Sequence, residues 1–83
     1  PEVLETLGEV LIAAGQPEAA IGVLDTASRG EPSASSIRLN LARAQLASGR
    51  VEAARTTLRA LLAGAQSFEG RDAALALLGR AGG

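Results

Sequence analysis

The side chains in this sequence that could do chemistry are carboxylates, guanidinium groups, hydroxyls and amides. Seven Glu, two Asp and eight Arg are present, whereas Cys, His and Lys are absent. Zinc sites, thiol nucleophiles, histidine general bases and Schiff-base lysines are therefore excluded within these 83 residues. Paired carboxylates can hydrolyse glycosides, and Glu5 and Glu9 are the pair best placed for such a reaction.

The spacing of Glu5 and Glu9 argues against that activity. Residues four apart on one helix point the same way, whereas a glycosidase flanks the scissile bond from two sides. The single aromatic residue, Phe68, is far away in sequence and offers no sugar platform there. We therefore predict a chain that is not an enzyme and that has no cofactor, no catalytic residue and no metal site.

Charge and hydropathy exclude two further classes of function. The net charge is −1, and the Arg residues are scattered among acids, so we predict no nucleic-acid binding, which needs a concentrated basic face. The longest apolar runs, residues 60–65 and 73–78, are far shorter than the ~20 residues that span a bilayer, so we predict no direct membrane insertion. The absence of Cys leaves the cellular location undetermined. Because Pro1 is not an initiator methionine, we expect a segment of a longer protein.

Helical periodicity predicts the elements that must position these residues. Apolar residues recur at spacings of three and four, and Gly, Pro and Ser residues interrupt them. Ser33, Ser35 or Ser36 is expected to cap the third helix, and Ser67 the fifth. The predicted helices cover about 2–15, 17–29, 33–48, 51–63 and 68–80, with a frayed tail at 81–83.

A shift of 34 residues superposes the chain on itself. Nine of the 34 pairs between residues 1–34 and 35–68 are identical, and they include the turn glycines Gly15 and Gly49. The identities concentrate at turns and small inward residues, where the geometry of a helix pair would require them. The sequence therefore predicts an internal repeat with a period of 34 residues.

A helix-turn-helix repeat of this length resembles the tetratricopeptide repeat (TPR). The second copy departs from the family pattern at Arg38, Gln45, Leu61 and Gln66. These departures affect the expected packing of the second copy and not its resemblance to the family. The resemblance implies an all-α, TPR-like superhelix (solenoid) fragment of five antiparallel helices: repeat 1 at 1–34, repeat 2 at 35–68 and a capping helix at 68–80. The residues that carry the resemblance are Leu4, Leu7, Gly8, Leu11, Gly15, Ala20, Leu24, Ala27 and Pro32, followed by Leu41, Ala42, Gly49, Ala54 and Leu58.

The whole sequence also resembles the C-terminal end of long bacterial TPR proteins. These include TPR lipoproteins of the exosortase/PEP-CTERM type and proteins of exopolysaccharide systems. The similar stretches are residues 4–24, residues 37–62 and the segment around 65–74. This resemblance implies a bacterial parent protein and leaves two locations open for it, the cytoplasm and the periplasm or cell envelope.

The family resemblance implies a protein–protein interaction module whose first helices line a peptide groove. By register, Glu5, Glu9, Asn40 and Arg43 face that groove, where Asn40 and Arg43 could offer an amide and a guanidinium to a partner. The alternative is a solvated ion pair between Arg43 and Glu9 or Glu5. Some members bind C-terminal carboxylates of chaperones, but Glu5 and Glu9 stand where such a clamp has Lys and Asn, so we do not expect that activity.

A structural scaffold that assembles with copies of itself is the alternative function. Solenoid repeats bury their apolar faces against neighbours. The first helix carries Val3 and Val10 on the side where a preceding repeat would pack. We therefore expect that the segment could form a homodimer through its first helix.

Overall fold

The computed structural model describes residues 2–64 and 70–82, and within them the regular structure is helical. The fold class predicted from the sequence is confirmed: this is an all-α helical repeat. The helices of the described residues are α1 (Glu2–Ala13), α2 (Pro17–Gly30), α3 (Ser35–Ala47), α4 (Val51–Gly64) and α5 (Arg71–Arg80).

The same turn closes α1 and α3. Gly15 and Gly49 have φ of +77° and +82°, a backbone conformation that penalises any residue with a Cβ atom. After α1, the Gln16 N–H donates to the Leu11 carbonyl at 2.8 Å, and after α3 the Arg50 N–H donates to the Gln45 carbonyl at 2.8 Å. These are Schellman motifs, which satisfy the last carbonyls of a helix and reverse the chain. Each turn starts the next helix at once, α2 with Pro17 in its first turn.

Successive helices pack against each other, and α3 lies between two buried clusters. One side of α3 joins α2 in the first cluster, and its other side joins α4 and α5 in the second. Helices α1 and α3 also contact each other directly, which brings the charged residues of α1 beside those of α3. The first cluster contains Ala20, Leu24, Ala27, Ile37, Leu41 and Ala44, and the second contains Leu39, Ala42, Leu58, Leu61, Ala74 and Leu77.

Gly8 allows α1 to approach α2 closely. A Cβ atom at this position would lie 2.5 Å from both Cγ and Cδ2 of Leu24, a side chain with no exposed surface. Real Cβ atoms do not come so near to another carbon, so the α1–α2 spacing requires glycine here.

Several helix ends differ from the sequence predictions. Helix α1 ends at Ala13 instead of 15, and α3 covers Ser35–Ala47 instead of 33–48. The predicted serine caps of α3 are wrong: Ala34 occupies the cap position and no side chain caps the helix, because the Ala34 N–H bonds the Glu31 carbonyl in a turn that leads directly into Ser35. Helix α5 begins at Arg71 rather than 68, since Gly70 adopts a left-handed conformation with φ of +93°. Ser67 and Phe68 lie outside the described residues.

The apolar stripe of α1 is divided between two sides of the helix. Leu4 and Leu11 are half-buried against the first cluster, whereas Leu7 is 43% exposed and Val3 and Val10 are more exposed still. Leu7 therefore carries the repeat pattern without contributing to the core. Of the other residues named for the repeat pattern, Ala20, Leu24, Ala27, Leu41, Ala42, Ala54 and Leu58 are buried, whereas Pro32 is exposed.

Candidate functional site

Charged side chains of α1 and α3 meet at one face of the molecule, which α5 continues. We call this face, made by α1, α3 and α5, the groove. A cleft of about 330 Å³ lies in it, with α1 on one side and the start of α5 on the other. Its lining residues are Glu5, Glu9, Ser36, Leu39, Asn40, Arg43, Gly70 and Ala73.

Asn40 organises the polar part of this cleft. Its side chain is only 3% exposed, and its amide nitrogen Nδ2 donates to Oε2 of Glu9 at 3.2 Å and to Oε2 of Glu5 at 3.4 Å. The Asn40 carbonyl oxygen Oδ1 accepts a hydrogen bond from Nη1 of Arg43 at 2.9 Å. Both amide protons and the carbonyl oxygen therefore have partners, as a buried amide requires.

This network explains how two carboxylates can lie together on α1. Glu5 and Glu9 are one helical turn apart, and like charges at that spacing weaken a helix by a few tenths of a kcal/mol. The Asn40 amide places a positive dipole end between them and offsets part of the repulsion. Glu9 remains exposed and Glu5 is half-buried, so their free oxygens can still accept hydrogen bonds from a ligand.

The opposite end of the groove is basic with an apolar floor. A second cleft of about 250 Å³ is lined by Arg43, Leu46, Ala47, Leu77 and Arg80. Both guanidinium groups are on exposed residues, and neither takes part in an ion pair within the described part of the chain. The groove therefore changes from acidic at α1 to basic at α5, with Arg43 lining both clefts.

A family model for the tetratricopeptide repeat matches residues 11–79, well over half of the chain. The chain belongs to the TPR family. Repeats of this family generally mediate protein–protein interactions, and such modules are typically non-catalytic. No curated protein and no solved structure matches the chain.

Within this TPR chain, the four residues predicted for the groove lie together, although they do not act alike. Asn40 is buried and its amide is engaged with Glu5 and Glu9, so it positions these carboxylates and is not free for a ligand. The expected ion pair between Arg43 and Glu9 or Glu5 is not formed, because the Arg43 guanidinium bonds Asn40 instead. The ion pairs among the described residues lie elsewhere, at Asp25–Arg29, Glu18–Arg50 and Glu52–Arg55.

Sequence reasoning missed Arg80 and Leu77 as groove residues. It treated α5 only as a cap over repeat 2, whereas the structure places its inner side in the groove. The 34-residue register could have found both residues. Arg80 lies 34 positions after Leu46, and Leu77 lies 34 positions after Arg43.

Two further searches concern the described residues only. Across residues 2–64 and 70–82, no group of three or more acidic side chains is arranged to hold a metal ion. The helices described there include none with both the length and the apolar character needed to cross a bilayer.

Proposed function

We propose that this TPR chain is a non-catalytic interaction module that binds an extended peptide segment of a partner protein along the groove. The observation that carries the proposal is the charge gradient of the groove. Carboxylates held by Asn40 stand at the α1 end, and Arg43 and Arg80 stand over an apolar floor at the α5 end. The family's usual role in protein interaction supports the same conclusion.

The gradient supports a particular ligand chemistry and binding direction. Glu5 and Glu9 accept hydrogen bonds, so they suit a Lys or Arg side chain of the peptide. Arg43 and Arg80 can donate to a carboxylate. Leu46 and Leu77 line the same cleft and suit an apolar side chain. We therefore expect a peptide with a basic residue toward α1 and an apolar–acidic pair toward α5.

The affinity should be modest and sensitive to salt. Exposed charge pairs contribute only about 0–1 kcal/mol each, and most charged groups of the groove are exposed. Burial of one apolar side chain adds about 1.5–3 kcal/mol. Such contributions, reduced by the cost of ordering the peptide, correspond to a dissociation constant of about 10 µM or weaker.

Binding of a labelled peptide library, measured by fluorescence anisotropy, tests the proposal. Glu9→Lys and Arg80→Glu should each raise the dissociation constant of the selected peptide about tenfold, because each replaces an attractive contact by a repulsive one. Glu31→Lys and Arg59→Glu make the same charge changes at exposed residues that line neither groove cleft, and they serve as matched controls.

A peptide with its basic and acidic residues exchanged gives the sharper test of direction. It should bind poorly to the unaltered chain and better to the Glu9→Lys, Arg80→Glu double variant. Unchanged affinity in both groove variants, with helical content preserved by circular dichroism, would show that the groove is not the recognition surface.

The second candidate function is a structural scaffold segment that assembles with copies of itself. The apolar outer side of α1 supports it, because three large apolar side chains are exposed there. Mass measurements over a concentration range distinguish this function from peptide binding.

We also propose that the chain comes from a long bacterial TPR protein associated with the cell envelope. Only the sequence similarity of residues 4–24 and 37–62 to such proteins supports this origin. Fractionation of the source cells with an antiserum against the chain tests it, since a parent found only in the soluble fraction contradicts envelope association.

A further inference from the structure

Asn40 is a buried polar residue at a position where the fold also accepts an apolar one. Among the side chains that the structure describes, it is the only polar one that is buried, with 3% of its surface exposed. Shifted by 34 residues, Asn40 corresponds to Ala74 of α5, which is buried without any exposed surface. Packing at this position therefore does not require an amide. Because burial of a polar group is costly unless it is hydrogen-bonded, the bonds of Asn40 indicate what the amide does.

The hydrogen bonds of Asn40 join the two charged parts of the groove. Its Nδ2 atom donates to Oε2 of Glu9 and to Oε2 of Glu5, and its Oδ1 atom accepts from Nη1 of Arg43. Oε1 of each glutamate and the other N–H groups of Arg43 make no hydrogen bond within the described part of the chain, so they can bind a ligand. The planar amide thus holds groups of α1 and α3 in one arrangement, although it exposes almost no surface itself.

This arrangement limits the distance between the acidic and the basic group. The nitrogen and oxygen atoms of an amide are about 2.3 Å apart. Bonds of 3.2 Å to Glu9 and 2.9 Å to Arg43 therefore leave Oε2 of Glu9 no more than about 9 Å from Nη1 of Arg43. The limit holds as long as both bonds are made, and it does not depend on the conformation of either long side chain.

We propose that Asn40 is a positioning residue through which the groove selects peptides by the spacing of their charges. The inference rests on the proposed peptide binding along the groove and adds the spacing to it. In an extended peptide, side chains two residues apart lie on the same side and about 7 Å apart, whereas side chains four residues apart are separated by about 13 Å. A basic and an acidic side chain with one residue between them fit the limit set by Asn40, and a pair with three residues between them exceeds it.

Without the amide, the charged groups lose this arrangement. Glu and Arg side chains have several rotatable bonds, and ordering such a side chain on binding reduces the affinity. Once released from Asn40, Glu9 and Arg43 can follow a ligand of either spacing at a similar cost. The unaltered chain should therefore prefer the shorter spacing about tenfold, whereas a chain without the amide should bind both spacings with dissociation constants within about twofold of each other.

Four labelled peptides test the proposal by fluorescence anisotropy at low salt. Each has one Lys, one Asp and one Leu in a serine–threonine background, and one or three residues separate Lys from Asp, in either order. Asn40→Leu removes the amide and keeps the branched shape of the side chain. Gln45→Leu is the matched control, since it removes an amide from the same helix at a residue that lines neither groove cleft. Circular dichroism checks that both variants keep their helices.

The decisive quantity is the ratio of the affinities for the two spacings. A side chain that only stabilised the fold would change both affinities equally and leave this ratio unaltered. We expect the preference for the shorter spacing in the unaltered chain and in Gln45→Leu, and its loss in Asn40→Leu. No preference in the unaltered chain overturns the inference. So does a preference that survives in Asn40→Leu while Glu9→Lys weakens binding, although this result leaves peptide binding in the groove intact. If no peptide binds, or if Glu9→Lys and Arg80→Glu change nothing, both proposals are wrong.

The free chain provides a second measurement that needs no peptide. The side-chain amide protons of Asn40 should exchange with water at least about tenfold more slowly than those of Gln16, an exposed residue. Nuclear magnetic resonance measures both rates in one sample. Equal rates would show that the bonds to Glu5 and Glu9 are not held in solution, which overturns the proposal even if Asn40→Leu does not fold.

Discussion

The close approach of α1 to α2 at Gly8 can be tested by one substitution made at two places. Gly8 and Gly22 both lie inside helices, in α1 and α2. Alanine is the better helix former by about 1 kcal/mol, so Gly→Ala should stabilise a helix wherever the added methyl group has room. At Gly22 nothing lies within 4 Å of the added Cβ atom, whereas at Gly8 the Leu24 side chain occupies that space.

The structure gives the expected magnitudes. The Cβ atom of Gly8→Ala would lie 2.5 Å from Cγ of Leu24, the branch point of a fully buried side chain that other core atoms keep from turning aside. Overpacking of this kind costs up to about 3 kcal/mol, which leaves about 2 kcal/mol of destabilisation after the gain in helix propensity. Gly22→Ala should stabilise the chain by about 1 kcal/mol.

Thermal and urea unfolding followed by circular dichroism at 222 nm measures both changes. At about 5 °C per kcal/mol for a domain of this size, Tm should fall by about 10 °C in Gly8→Ala and rise by about 5 °C in Gly22→Ala. Repeating the unfolding at several protein concentrations separates any self-association from the change in folding stability. If Gly8→Ala is as stable as the unaltered chain while Gly22→Ala is stabilised, the α1–α2 spacing described above is wrong.

Three further predictions concern the turn after α1, the groove and the end of α5. Gly15→Ala should destabilise the chain by about 1 kcal/mol in urea unfolding although its Cβ atom meets nothing, because the residue holds φ of +77°; no loss would contradict the left-handed turn. Asn40→Asp should lower the free energy of unfolding by about 2–3 kcal/mol, because a third carboxylate replaces the amide that binds Glu5 and Glu9. Adding Glu9→Gln in the same chain should restore part of this stability. Arg55→Ala should speed hydrogen exchange in the last turn of α5 but not in α2, because Arg55 Nε donates to the Ala81 carbonyl at 2.6 Å. Equal exchange rates in Arg55→Ala and the unaltered chain would mean that this bond does not hold the end of α5.

The helices and their turns were predictable because their causes are local. Gly15 and Gly49 mark the turns through the φ that each must adopt, and such a requirement is visible in one residue and its position after an apolar stripe. The 34-residue register transferred the same reasoning to the second helix pair. The serine caps predicted for α3 were wrong for an equally local reason. A cap requires a particular backbone conformation at one residue, and serines at 33, 35 and 36 do not reveal which residue has it.

The groove was predictable in its membership but not in its hydrogen bonds. The register places Asn40 and Arg43 on one face of α3, and α1 lies beside that face. It does not reveal that Asn40 is buried deeply enough for its amide to bind two carboxylates of α1. Arg43 then has a neutral partner within its own helix, three residues away, and needs no carboxylate from α1. Whether Arg43 binds Asn40 or a carboxylate of α1 depends on how deeply these groups are buried. A periodic sequence pattern contains little information about the depth of burial.

Leu7 and Leu41 show the same limit for apolar residues. They are the same amino acid at the same position of two repeats, yet Leu41 is buried against α2 and Leu7 is exposed. The sequence pattern describes the side of a helix that is suited to packing, whereas burial also requires a second surface at that place. In a helical repeat the second surface belongs to the adjacent repeat, so the pattern is a sufficient guide to burial only for helices with a neighbour on each side. At α1 the surface that would bury Leu7 is not among the described residues, so the pattern marks a packing side of the helix without fixing the exposure of the side chains on it.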